Sequence, residues 1–129
     1  MSKLKFVKNS QKYHEFIRNL RNDKRVKTGF IQQGYVTRRQ QKKYMTKYNK
    51  SYYLCLCDGQ PAGYVGVIDE DIRVAVHPDF QKKGIGIFLL RNIKRKYQNL
   101  QAKIKIDNNA SIKLFKKAGF KLKYYIFEK

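Results

Sequence analysis

Residues 71–86 carry the pattern that most limits the fold: a strand, a proline, a loop with two glycines, then an apolar helix. Residues 71–77 read as a strand with Ile-Arg-Val-Ala-Val at its centre, and Pro78 ends it because proline cannot donate to a ladder. Gln81-Lys82-Lys83-Gly84-Ile85-Gly86 follows. Residues 84–97 then place Ile85, Leu89, Ile93 and Tyr97 at four-residue steps, the spacing of a helix. Glycines let backbone N–H groups converge without side chains in the way. At a helix N-terminus those groups have no internal partner and the dipole is positive. The segment is therefore an anion site suited to a pyrophosphate, with charge added by Lys82 and Lys83. It is not a Walker A loop, since no Gly-Lys-Ser/Thr is present, and Leu89 stands where a dinucleotide fingerprint has its third glycine. Taken alone, the loop also suits an ordinary tight turn.

The pattern on either side supplies the remaining elements. Residues 3–8 read as a short strand, and Ser10 is positioned to cap a helix in which Tyr13, Phe16, Ile17 and Leu20 share one face. Residues 21–36 show no regular period, and Thr37 with Gln40 forms a capping box for a very basic helix to about residue 48. Strands follow at 51–57 and 60–68, joined by Asp58-Gly59, with a second tight turn at Asp69-Glu70. Ala102, Ile104 and Ile106 alternate with Lys103 and Lys105 as a strand with one wet face. Residues 108–117 form a helix that Gly119 stops, and 122–127 form a last strand. Hairpins early and helical crossovers late imply an α/β fold: one domain over residues 1–129, with a mixed central sheet flanked by about four helices.

Charge narrows the partners. The chain has 129 residues and a formal net charge of +21, which attracts polyanions. Residues 1–50 hold 15 Lys and Arg against Glu15 and Asp23 only. No apolar run approaches the roughly 18 residues of a membrane span, and the N-terminus lacks the apolar core of a signal peptide, so a cytoplasmic location without membrane partners is expected. Cys55 and Cys57 sit two apart with no second pair, and only His14 and His77 could add ligands; they read as reduced thiols on a strand, and no metal is expected.

Gln-x-x-Gly-x-Gly after a strand and His77-Pro78 resembles the acetyl-CoA motif of the GCN5-related N-acetyltransferases (GNAT). Asn108-Asn109-Ala110-Ser111-Ile112-Lys113-Leu114-Phe115, with Gly119-Phe120 beyond it, resembles that family's later motif. The close resemblance spans residues 62–126, the expected acetyl-CoA-binding core, while residues 1–50 match only in element order and would form the substrate side. The resemblance implies a V-shaped splay between the fourth and fifth strands, 71–77 and 102–106. A pantetheine arm would pair there with the backbone of Val74, Ala75 and Val76. The pyrophosphate would rest on Gln81, Lys82, Lys83, Gly84, Ile85 and Gly86. Asn108, Ser111 and Phe115 would lie along the other side of the cofactor. Relatives in the family are often homodimers.

The implied chemistry is acetyl transfer to a primary amine. Such an amine has a pKa of about 10.4 and must lose a proton before it attacks. Asp69, Glu70 and Asp71 are the densest negative spot on the chain and are candidates for binding or deprotonating the amine; they also suit a solvated hairpin turn. A backbone N–H of Val74 or Val76 would be the oxyanion donor. His77 reads as structural, and His14 as a surface or packing residue. Many relatives protonate the leaving thiolate with a tyrosine seven residues after the motif asparagine; Phe115 stands there, leaving water or a nearby Tyr such as Tyr124. A basic substrate wall points to an amine on an anionic carrier: a nucleotide-linked aminosugar, an aminoacyl-tRNA, or the N-terminus of an RNA-bound protein. Leu20-Arg21-Asn22-Asp23 faintly resembles the early segment of aminosugar acetyltransferases. The rival class is a nucleic-acid-binding module, in which Tyr35, Tyr44, Tyr48, Tyr52 and Tyr53 would stack bases among the cations of residues 38–50. A catalytically inactive acetyl-CoA-binding fold is a third reading.

Overall fold

The computed structural model describes residues 2–129. Four strands, β1 (Leu4–Lys8), β2 (Tyr52–Cys57), β3 (Gln60–Ile68) and β4 (Asp71–Val76), form one sheet in sequence order, with every neighbour antiparallel. Two tight turns set this order. Asp58 and Gly59, then Asp69 and Glu70, all take positive φ, the handedness that matches strand twist in a two-residue hairpin. β2 and β3 carry the sheet's centre, with Leu54, Cys55, Ala62 and Val65 completely buried.

Helices cover both faces. On one, α4 (Ile85–Lys94) buries Ile85, Leu89, Leu90 and Ile93, and α5 (Asn109–Lys117) adds Phe115. Burying a side chain of that size contributes about 1.5–3 kcal/mol each. The other face is covered by α1 (Gln11–Asn22) through Ile17 and Leu20, and by α3 (Arg38–Tyr48) through Met45. Ser10 precedes α1 as expected, but its side chain makes no capping hydrogen bond. Within the stretch expected to be irregular, Asp23 caps a single helical turn, α2 (Lys24–Lys27), which makes five helices where about four were expected. The segment after it is pinned to α1: Asn22 Nδ2 donates to the Val36 carbonyl at 2.8 Å while Val36 N–H donates to Asn22 Oδ1 at 2.8 Å. Buried Arg18 adds donors to Val36 O and to the Tyr35 hydroxyl.

The α/β class stands, but the sheet is not mixed in the way the pattern implied. Segment 102–106 forms no strand; its parallel pairing is reduced to one bridge between Asp71 and Gln101. Segment 122–127 is not a strand either, and Leu122, Tyr124, Tyr125, Ile126 and Phe127 are exposed. A strand needs a neighbour for its N–H and C=O groups. With 102–106 turned away from β4, the C-terminal segment has no ladder to extend.

The capping box expected at the start of α3 is present, with Gln40 N–H donating to Thr37 Oγ1 at 3.1 Å and Thr37 N–H donating to Gln40 Oε1 at 2.8 Å. Thr37→Ala is expected to destabilise the fold by about 1 kcal/mol, measured by denaturant unfolding.

Candidate active site

The single Asp71–Gln101 bridge is the hinge of a cleft. Ile72 N–H donates to Gln101 O at 2.8 Å, and Gln101 N–H donates to Glu70 O at 2.9 Å. Beyond that point the two segments separate, leaving a cleft of about 810 Å³ lined by Val74 and Val76 on one side and Ala102 and Ile104 on the other. Backbone direction alternates along β4. Ile72 N–H points away from β3, toward Gln101, while His77 N–H donates back to Ala62 O on β3 at 2.8 Å. By that alternation the N–H and C=O groups of Val74 and Val76 face the cleft. Those of Ala75 face β3, so its backbone is not open to a pantetheine arm; Ala75 lines the cleft with its side chain on the α1 and α3 face.

One end of the cleft is the glycine loop. Gln81, Lys82, Gly84, Ile85 and Gly86 line it, at the N-terminus of α4. Gln81 Nε2 donates to Val76 O at 3.5 Å, tying the loop to the strand end. Lys83 is outside the lining, its ammonium near Ser2 Oγ at 3.4 Å. Gly86 sits close to α5: a Cβ there would lie 2.8 Å from Leu114 Cδ2, so that side chain would have to shift.

The opposite wall is α5. Asn108 caps it through Ser111 N–H at 3.2 Å and sends its own amide across to Gly29 O at 3.2 Å. Lys105 Nζ reaches Thr28 O at 3.1 Å. The loop after α2 is thus latched over the cleft from the far wall. Ser111 and Phe115 line the cleft, and the Phe115 ring packs edge-on against Phe120 at 5.2 Å. Tyr124 is 81% exposed and does not line the cleft.

Of the three acidic candidates, only Asp71 lines the cleft; Asp69 and Glu70 sit at the exposed hairpin turn. His77 is structural: its Nδ1 accepts Asp79 N–H at 3.1 Å and its ring packs on Phe16 and Phe80. His14 bonds Asn49 Oδ1 at 2.6 Å. Among the described residues no three His, Cys, Asp or Glu gather as a metal site, and no helix is long and apolar enough to cross a membrane.

Sequence reasoning missed a tyrosine and arginine group on the α1 and α3 side of the cleft. Tyr52, Tyr64, Arg21, Arg25 and Arg73 all line the cleft. The hydroxyls of Tyr44 and Tyr52 are 2.8 Å apart, and Arg73 Nη1 donates to Tyr44 Oη at 3.4 Å. The period-2 pattern of β2 to β4 could have placed Tyr52, Tyr64 and Arg73 on one face, given the pairing register. Of the interleaved tyrosines, Tyr44 lies tilted against Tyr48 at 4.7 Å and edge-on to Tyr52 at 6.0 Å, Tyr53 stacks on Phe6 at 5.0 Å, and Tyr35 alone of the five is exposed. Burial pushes the Tyr64 phenol up to about 12 and raises Tyr52 as well.

The Acetyltransferase (GNAT) domain family matches residues 48–122, and the chain belongs to that family. It is an N-acetyltransferase. Among solved structures, a spermidine N-acetyltransferase from Vibrio cholerae in complex with CoA and spermine is similar, with a TM-score of 0.83 at 16% identity over 98% of this chain and 85% of that one. An N-acetyltransferase from Staphylococcus aureus Mu50 has a TM-score of 0.80 at 20% identity over 93% and 84%. An aminoglycoside N-acetyltransferase in complex with CoA has a TM-score of 0.73 at 14% identity over 100% and 95%. At these identities the likeness shows the fold. A comparison with curated protein sequences gives no match.

Burying Tyr64 as a neutral phenol stabilises the fold at pH values below the ordinary tyrosine pKa of about 10, and this contribution is lost as pH rises toward 12. Between about pH 9 and 11 the melting temperature of the wild type should therefore fall more steeply than that of Tyr64→Phe.

Proposed function

We propose that the acceptor of this N-acetyltransferase is a primary amine on a negatively charged carrier, and that the cleft beside β4 is where donor and acceptor meet. The observation that carries the reading is the charge of the cleft: Arg21, Arg25, Arg73, Lys82, Lys103 and Lys117 line it against one carboxylate, Asp71. A free polyamine, such as the spermine bound to the Vibrio cholerae protein, would meet like charge here. A nucleotide-linked aminosugar or an aminoacyl-tRNA brings an amine with compensating charge. The outer face of α3, with Arg38, Arg39, Lys42, Lys43 and Lys47 exposed and no acid on the helix, offers further room for a polyanionic carrier.

The residues fit the donor. Lys82 and the free N–H groups at the start of α4 suit a pyrophosphate, and the unpaired edge at Val74 and Val76 suits the amides of a pantetheine arm. Acetyl-CoA supplies the acetyl group as a thioester. On this reading the backbone N–H of Val74 or Val76 donates to the developing oxyanion. Asp71 is the carboxylate in reach of an incoming ammonium, which has to be deprotonated near neutral pH. Phe115 has no proton to give, so the hydroxyl groups lining the cleft are those of Tyr52, Tyr64, Ser111 and Thr28.

Calorimetric titration of acetyl-CoA at moderate salt, with ATP as a polyanion control, tests the donor site. Acetyl-CoA should bind at least about tenfold more tightly than ATP, a margin of about 1.4 kcal/mol, and Lys82→Glu should weaken it. Equal and salt-sensitive binding of both ligands would mean that the net charge of +21 merely attracts phosphates.

A further inference from the structure

We propose that the acceptor is a zwitterion, an amine with an acidic group a few bonds away, and that Asp71 and Arg73 read its two charges side by side. This rests on the acetyltransferase reading and names the class of amine within it. Residues 71, 73 and 75 of β4 share a face, and Ala75 fixes which face it is, because it packs with the α1 and α3 cluster. Asp71 and Arg73 thus stand two residues apart on the acceptor side, both lining the cleft. Their closest approach, Arg73 Nε to Asp71 Oδ2, is 3.9 Å, too long for a hydrogen bond. The two form an ion pair without a hydrogen bond, so the hydrogen-bonding capacity of each stays open.

Each has capacity left for a ligand. Among the described residues Asp71 Oδ1 is buried without a hydrogen-bond partner, while the side chain as a whole is 26% exposed, and that exposed part is free to accept from an ammonium. Arg73 has five N–H donors and spends one on Tyr44 at 3.4 Å, leaving a planar fork that matches a carboxylate or a phosphoryl group. The floor beneath the pair is built for occupancy. Tyr52 lies across β3 only because residue 66 is glycine: a Cβ there would lie 2.5 Å from Tyr52 Cε2. The Tyr52 hydroxyl holds Tyr44, and Tyr44 holds Arg73. A diamine would bring a second cation to Arg73 and Arg21, and a plain amine would leave the guanidinium unmet.

The test uses the full chain with saturating acetyl-CoA, thiol release as the readout, and two matched pairs of acceptors. One pair is phenylalanine with phenethylamine, the other O-phosphoethanolamine with ethanolamine. In at least one pair the acid-bearing member should have a kcat/KM at least about tenfold higher, expressed mainly in KM. The pair that shows the preference tells a carboxylate from a phosphoryl group. Arg73→Met should bring that ratio to within about twofold of unity, and Arg73→Lys, which keeps the charge without the fork, should recover part of it. Calorimetric binding of acetyl-CoA by both variants, unchanged from wild type, checks that they fold. Asp71→Asn should lower kcat at least about tenfold on both members of the preferred pair. Equal or better turnover of the plain amines by the wild type, no turnover of any of the four, or an unchanged ratio in Arg73→Met would each overturn the zwitterion assignment. If the wild type fails to bind acetyl-CoA, the acetyltransferase reading itself fails; turnover of plain amines alone leaves that reading standing.

Discussion

Two backbone hydrogen bonds decide the architecture of the site. They join Gln101 to Ile72 and to Glu70, and they are where the outer edge of β4 stops being paired. An unpaired strand edge is normally a liability, because it offers a row of donors and acceptors to any extended chain. Here the far segment turns away after one bridge, and the edge at Val74 and Val76 becomes the floor of a cleft instead. The glycine loop closes one end of that edge, and α5 forms the opposite wall. Gly86 on α4 faces the Leu114 side chain of α5. The site is therefore a consequence of strand separation, with side chains added to it.

The sheet also separates two jobs. Even-numbered residues of β4 pack toward α4, where the core is apolar and holds the helix whose N-terminus faces the anion site. Odd-numbered residues face α1 and α3, where tyrosines and arginines gather around Asp71. On the proposed function, donor recognition would use backbone and a helix end, and acceptor recognition would use side chains from β2, β3, β4 and the helices of the basic half.

Much of the fold was legible in the chain because it rests on local chemistry. Asp58-Gly59 and Asp69-Glu70 turn where expected, the Thr37 box starts α3, and Gly119, with φ 93, follows the end of α5. The two segments that failed as strands, 102–106 and 122–127, have the right alternation but lack a neighbour. Period-2 alternation reports which side chains could share a face, and it says nothing about whether a ladder partner is in reach. The site was read in part for the same reason. Loop residues 81–86 form a contiguous motif, but Tyr52, Tyr64 and Arg73 lie on three strands and meet only through the pairing register. Asp69, Glu70 and Asp71 look equivalent as a run, yet the hairpin leaves two exposed and directs the third into the cleft.

By itself the sequence determined the four strands β1 to β4, the helices α1, α3, α4 and α5, the glycine loop and the family, since each depends on residues close together along the chain. Only the tertiary structure decided that β4 keeps an open edge, that Tyr44 packs against both Tyr48 and Tyr52, and that Asp71 pairs with Arg73 at 3.9 Å without a hydrogen bond. Those outcomes depend on which segments come into contact across the sheet, and contact between distant segments is set by burial of both faces at once rather than by any local preference.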